Sequence, residues 1–264
     1  MHRILIALAV AFGLGSPVFG QPRGAIVAVG GGGTTDGIIA RTLELAGGRR
    51  ARVVVLPQSS ALEGAGDSSV KMWLDAGASE AKKVAFTAPD ARASIERATL
   101  IWMPGGDQNR FMRAIEGTGL DEVIRAANRK GTVVGGTSAG AAVLSDWMIT
   151  GDADLESLTA GKTVLAKGLG VCPDAIVDQH FLRRQRHNRL LSAVLDRPNL
   201  VGVGIDEGTA AIFHDSRVEV FGRSAVVLID GRNAKVEKTT AGGVTAGIDL
   251  RVSVLREGMS IPLK

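Results

Sequence analysis

Short apolar runs recur through the first two thirds of the chain, at residues 25–29, 52–56, 82–86, 100–103 and 132–134. Each is too short for a core helix and is flanked by Gly, Pro or polar residues, so each predicts a buried strand. Between them, residues 38–46, 70–77, 91–98 and 120–129 place apolar positions at helical spacing. Strands apolar on both faces and separated by helices predict a parallel sheet covered on two sides. The last third changes style. Segments at 210–213, 217–221, 225–229 and 250–255 predict antiparallel, hairpin-like strands. No repeat, low-complexity tract or linker interrupts this order, so residues 21–264 are expected to form a single α/β domain.

In such a sheet, ligands gather beyond the carboxyl ends of the strands. The loops that fall there are 30–35, 57–60, 104–108 and 135–140. The last is the most informative: Gly136-Thr137-Ser138-Ala139-Gly140 joins an apolar strand to the helix-forming run 139–144. A G-x-S-x-G corner of this kind lifts a serine hydroxyl clear of the sheet, with glycines where a Cβ would collide. The following helix aims free N–H groups at the same point, where an oxyanion would be held. Acyl-transfer chemistry is the expectation. A tight βα turn that binds a phosphate, or nothing, has the same local sequence.

A serine hydroxyl needs a base to take its proton, and imidazole has the pKa for that task. His180, in Val177-Asp178-Gln179-His180-Phe181, is the histidine paired with Ser138; His187 and His214 fall in segments expected at the surface. An acid must orient the ring. Glu156 is the choice, with Asp152, Asp154, Asp178 and Asp206 as rivals. Gly105 and Gly106, opening a helix after a strand, supply a further candidate oxyanion donor, and Gln108 a contact for a substrate amide or carboxylate. Asp107 is equally a helix cap. The glycines 30–33 satisfy no register of G-x-G-x-x-G and read as a close backbone approach beside the site, or a plain turn. Gly161-Lys162-Thr163 resembles the end of a P-loop, but Glu156 stands where its first glycine is required.

Composition narrows the partners. The net charge is +4 and the pI about 9.5, yet Tyr is absent and aromatics total 4%, leaving few platforms for stacking bases; no nucleic-acid partner is expected. The basic residues that do cluster are Arg183, Arg184, Arg186 and Arg189. Guanidinium groups grip carboxylates in bidentate fashion, so the cluster suggests an acidic substrate; a solvated helix face is the alternative. Cys172 is the only cysteine, so no internal disulfide forms, and its apolar neighbours suggest a buried, unreactive thiol. The four histidines follow no metal-ligand spacing, so neither a metal nor another cofactor is expected. At the amino terminus, His2 and Arg3, an apolar run at 4–14 and the small residues before Gln21 have the order of a secretory signal peptide spanning residues 1–20. A chain starting near Gln21 would then be soluble, without a membrane span, and secreted or periplasmic.

Four ordered segments together resemble the cyanophycinases of the serine peptidase family that also contains the aspartyl dipeptidases. They are residues 104–108 (PGGDQ), 135–141 (GGTSAGA), 178–181 (DQHF) with the arginines that follow, and 204–207 (GIDE). The resemblance implies a flavodoxin-like fold of the class I glutamine amidotransferase type, a homodimer, and hydrolysis of cyanophycin, a polyaspartate backbone with arginine on its β-carboxyl groups. Carried over by position, Ser138 is the nucleophile, His180 its base and Glu156 the orienting acid. Gln108, Asp178, Gln179, Arg184, Arg186 and Arg189 become substrate contacts, with Gly106 and Ala139 as oxyanion donors. On an ideal helix Arg183, Arg186 and Arg189 share a face and Arg184 does not, so the helix is expected to start after Arg184. An aspartyl or isoaspartyl dipeptidase and a non-catalytic acidic-peptide-binding protein are the alternatives. A conventional α/β-hydrolase esterase fits less well, because the histidine follows the serine too soon.

Overall fold

Alternate side chains of five short strands divide between two apolar layers, as a sheet buried on both faces requires. The computed structural model describes residues 23–262 except 152, 154, 157 and 238. The expected signal peptide lies outside the described residues, as do Asp152 and Asp154 among the rival acids. Strands β1 (Ile26–Val29), β2 (Arg52–Val55), β3 (Glu80–Lys83), β4 (Leu100–Met103) and β5 (Val133–Thr137) run parallel, in the spatial order β3-β2-β4-β5-β1. Helices α1 (Asp36–Leu45), α2 (Asp67–Asp75), α3 (Ala91–Arg97), α4 (Gln108–Ile115), α5 (Leu120–Arg129) and α6 (Ala139–Ala142) fall between or after them.

Val27, Val53, Val55, Leu100 and Trp102 pack with Ile38 of α1 and Trp73 of α2. Trp73 meets Trp102 edge to face at 5.1 Å, a favourable quadrupole geometry. The alternate positions Ala28, Val54, Ile101, Met103 and Val134 join Ile95 of α3 and Ile124 of α5 on the other side.

A hairpin of β6 (Trp147–Ile149) and β7 (Leu165–Lys167) leads to β8 (Ala175–Gln179), α7 (His187–Asp196) and β9 (Val201–Ile205). Then come β10 (Thr209–His214), β11 (Arg217–Gly222), β12 (Ala225–Asp230), β13 (Lys235–Glu237), β14 (Ala246–Ile248), β15 (Arg251–Arg256) and β16 (Ser260–Pro262). Strands β10, β11 and β16 extend the main sheet antiparallel from β1. Strands β13 and β14 pair only with each other, while β8, β9, β12 and β15 build a second sheet, β15-β12-β9-β8, whose Val177, Val203 and Leu228 enter the same core as α3 and α5. Its outer face, Ile176, Val227 and Ile229, is covered by Leu190 and Val194 of α7.

The α/β class and the antiparallel C-terminal strands agree with the sequence reading. Two details differ. Strand β3 lies at Glu80–Lys83, overlapping the expected 82–86 but starting two residues earlier, because register with β2 decides an edge strand while Val84 and Phe86 dip into the core. Strand β12 does not continue the hairpin from β11 but crosses to the second sheet, pairing β9 and β15.

Cys172 is buried, and burial first, then the charge of Asp174, pushes its thiol up to about 12. Iodoacetamide at mildly alkaline pH is therefore expected to leave the native protein unmodified and to add one group after denaturation, read by intact mass. Rapid native alkylation would contradict this burial.

Candidate active site

Ser138 is held at φ 54 and ψ −116, a conformation costly for a residue with a Cβ. The strand that ends at Thr137 and the helix that begins at Ala139 impose it, and the Ser138 N–H donates to the carbonyl of Val29 at 3.0 Å. Gly140 closes the corner. A Cβ there would collide with the carbonyl of Met103, so helix and strand touch backbone to backbone.

The carboxyl ends of β8 and β9 face this corner from the second sheet. His180 directly follows β8, and its Nε2 lies 2.9 Å from Ser138 Oγ. Its Nδ1 lies 2.6 Å from Oε1 of Glu207, two residues beyond β9. With the ring proton on Nδ1, the imidazole donates to Glu207 and leaves Nε2 to accept from the serine. Ser138 and His180 are brought together as expected. The acid is corrected: Glu207, not Glu156, occupies the orienting position, and Glu156 lies exposed in the segment between β6 and β7. Asp178 and Asp206 do not face the ring's Nδ1 either.

The glycine run after β1 is the close approach anticipated. Gly31 has φ +94, and a Cβ on it would occupy the His180 imidazole. The carbonyl of Gly30 accepts from the His180 N–H at 2.7 Å, and that of Gly31 from Gly208 N–H at 2.8 Å. The loop thus clasps both segments that carry the imidazole and its acid.

After β4, the Ser59 hydroxyl donates to the carbonyls of Pro104 and Gly105 and fixes the Pro-Gly-Gly turn. Gly105 lies against Ser138, whereas Gly106 packs on the backbone of Ser59. Asp107 caps α4, accepting from the N–H groups of Asn109 and Arg110. Gln108 is buried and its amide nitrogen donates to the carbonyls of Ile149 and Thr150, so only its oxygen remains for a ligand.

The remaining expected substrate contacts separate into two groups. Asp178 and Arg189 are corrected to a buried pair: Arg189 Nε donates to Asp178 Oδ2 at 2.8 Å and its Nη2 to Oδ1, and both are shut off from solvent. Arg186 bridges inward, donating to the carbonyl and side-chain oxygens of Gln179, with Asp178 at 3.8 Å. Burial, then the neighbouring charge of Arg189, lowers the Arg186 guanidinium to about 10 although Asp178 opposes the shift. Arg184 stands exposed in the turn 181–186, and α7 begins only at His187, after Arg184 as expected. Arg183, Arg186 and Arg189 consequently share no helical face.

A nucleophile elbow, an imidazole and a carboxylate in hydrogen-bonded series, set where strand ends converge on an α/β scaffold, define a serine hydrolase site. Residues 26–221 match the model of peptidase family S51, and the chain belongs to that family. It is a serine-type peptidase. A cyanophycinase from Geminocystis herdmanii is 38% identical over 228 residues, covering 83% of each chain. One from Synechococcus elongatus is 39% identical over 171 residues, 63% of this chain but 53% of that relative. Among solved structures, a peptidase from an acI-B1 actinobacterium superposes with a TM-score of 0.65 at 20% identity, over 92% of this chain and 98% of that one, a likeness of fold. No helix among the described residues is long and apolar enough to cross a membrane.

The acid escaped the sequence reading although its signal was present. Glu207 sits in the Gly-Ile-Asp-Glu segment, just past an apolar strand, which is where a parallel strand delivers a side chain to the crevice.

Proposed function

We propose that this peptidase cleaves the polyaspartate backbone of cyanophycin and releases β-aspartyl-arginine dipeptides. The observation that carries the reading is the continuous hydrogen-bonded series Ser138–His180–Glu207. The cyanophycinase relatives support the choice of substrate.

In this mechanism the Ser138 Oγ attacks a backbone carbonyl carbon while its proton passes to His180 Nε2. Glu207 holds the ring and stabilises the imidazolium that forms. The N–H groups of Gly106 and Ala139 hold the oxyanion, aided by the amino end of α6. The imidazolium then gives its proton to the leaving amine, and a water activated by the same ring hydrolyses the acyl-enzyme. Arg184, exposed, and Arg186, poorly solvated beside Gln179, bind the free carboxylates of the substrate's arginine groups; an anion relieves the cost of keeping Arg186 charged. The basic, apolar and small residues of 1–20 support export to the periplasm or medium, and the family resemblance supports a homodimer.

Purified protein incubated with cyanophycin, β-aspartyl-arginine and aspartyl dipeptides, with products identified by mass, tests the substrate. β-Aspartyl-arginine appearing from the polymer is the expected result. Cleavage of dipeptides with the polymer left intact would assign a dipeptidase instead, and turnover of none would leave a binding protein for acidic peptides.

A further inference from the structure

Next to Glu207 stands a second carboxylate that the mechanism leaves idle. Asp206 Oδ1 accepts the Arg183 N–H at 2.9 Å, and its Oδ2 accepts the Ser224 hydroxyl at 2.7 Å. The nearby backbone amides of Glu207 and Leu182 also favour its charged form. Arg183 lies in the turn directly after His180 and Ser224 in the connection between β11 and β12, while Asp206 itself stands at the end of β9 that carries Glu207. That connection is itself anchored, since the N–H of Ser224 donates to Thr209 Oγ1 at 2.9 Å and that of Arg223 to the Gly208 carbonyl at 3.1 Å.

The clamp lies where it is needed. His180 has φ 49, and a residue with a Cβ keeps such a backbone only when its surroundings over-determine it. On its amino side the Gly30 carbonyl holds the His180 N–H; on its carboxyl side Phe181 N–H donates to the Ile205 carbonyl at 3.1 Å, and Asp206 takes the amide of Arg183. We propose that Asp206 is a positioning residue of the triad: its carboxylate ties the turn following His180 to the strand end bearing Glu207, fixing that pair in register with Ser138. The inference rests on the Ser138–His180–Glu207 reading above.

Burial alone would raise the Asp206 carboxyl, but the Ser224 hydroxyl and the amides of Arg183, Glu207 and Leu182 outweigh it and hold the group below the usual carboxylate range. A depressed folded value means the clamp contributes its full stabilisation above the ordinary carboxylate pKa of about 4, and loses it as pH falls through the lower folded value. It is therefore intact at neutral pH.

The test is the rate at which a fluorophosphonate labels Ser138, because that reaction needs a correctly placed imidazole: Oγ attacks phosphorus, fluoride leaves, and the proton goes to His180. Asp206→Asn keeps the shape but replaces an acceptor oxygen with a donor. It is expected to slow labelling about a hundredfold at neutral pH, as small misplacements of a base do, and to move the acid limb of the labelling–pH profile, in a protein that still melts cooperatively. Should that variant not fold, Ser224→Ala removes a single donor and is expected to slow labelling about tenfold. A parent-like rate and pH profile in folded Asp206→Asn, or, where that variant does not fold, in Ser224→Ala, would overturn the positioning role. A Ser138→Ala control that labels like the parent would overturn the triad reading itself, and the inference with it.

Discussion

Glu207→Gln is expected to cut turnover about ten-thousandfold, and Ser138→Ala about a millionfold, with the fold of each preserved. Glu156→Gln is expected to stay close to the parent. The difference follows from what sits at His180 Nδ1. Glu207 accepts from that nitrogen at 2.6 Å and so keeps Nε2 free of a proton, ready to accept from Ser138 at 2.9 Å. A glutamine amide placed there donates instead, drives the ring proton to Nε2 and converts the serine's acceptor into a competing donor. Combining Ser138→Ala with Glu207→Gln is expected to cost little more than Ser138→Ala alone, because the residues act as a unit. Release of dipeptide from cyanophycin and fluorophosphonate labelling both report the effect. A collapse in Glu156→Gln beside a healthy Glu207→Gln would reverse the assignment of the acid.

Asp178→Ala is expected to lower stability by about 3–5 kcal/mol, the usual cost of stranding a buried charge. The side chain of Asp178 is fully buried, that of Arg189 is 3% exposed, and Arg186 lies 3.8 Å from the same carboxylate. Removing the anion leaves two guanidinium groups facing each other without compensation. Arg189 is also in the first turn of α7, where a cation opposes the helix dipole, so Asp178 offsets two unfavourable terms at once. For a chain of this size the melting temperature should fall by about 10 °C or more. Replacing both partners, Asp178→Leu with Arg189→Met, should recover part of that loss, because the buried pair is gone and only Arg186 keeps its charge beside Gln179. Equal melting points for parent and Asp178→Ala in thermal and urea unfolding would show that the pair is not buried as described.

These two cases mark how far the sequence reaches. The elbow at Ser138 was legible because its chemistry is local: strand, glycine, serine and helix are adjacent in the chain. The clasp at Gly30 to Gly33 was legible for a similar reason, since a glycine run just past an apolar strand has few uses other than close approach. His180 was found by elimination among few histidines. The acid was not, because Glu156 is nearer in sequence while Glu207 is nearer in space, and only the pairing of β8 with β9 shows this. The arginines posed the same difficulty. Spacing suggested a helical stripe offered to a substrate, but the chain turns at 181–186 before α7 begins, sending Arg189 into the core and Arg184 into solvent. Strand β12 likewise reads as a hairpin partner for β11 because it follows after a short turn; its switch to the second sheet is set by β9 and β15.

Ser138 is anchored on the main sheet, and His180 and Glu207 on the other. A chain that has formed each sheet but not yet docked them owns a hydroxyl without a base and a base without a target. Hydrolytic competence thus depends on the docking of the two sheets as much as on the fold of either one.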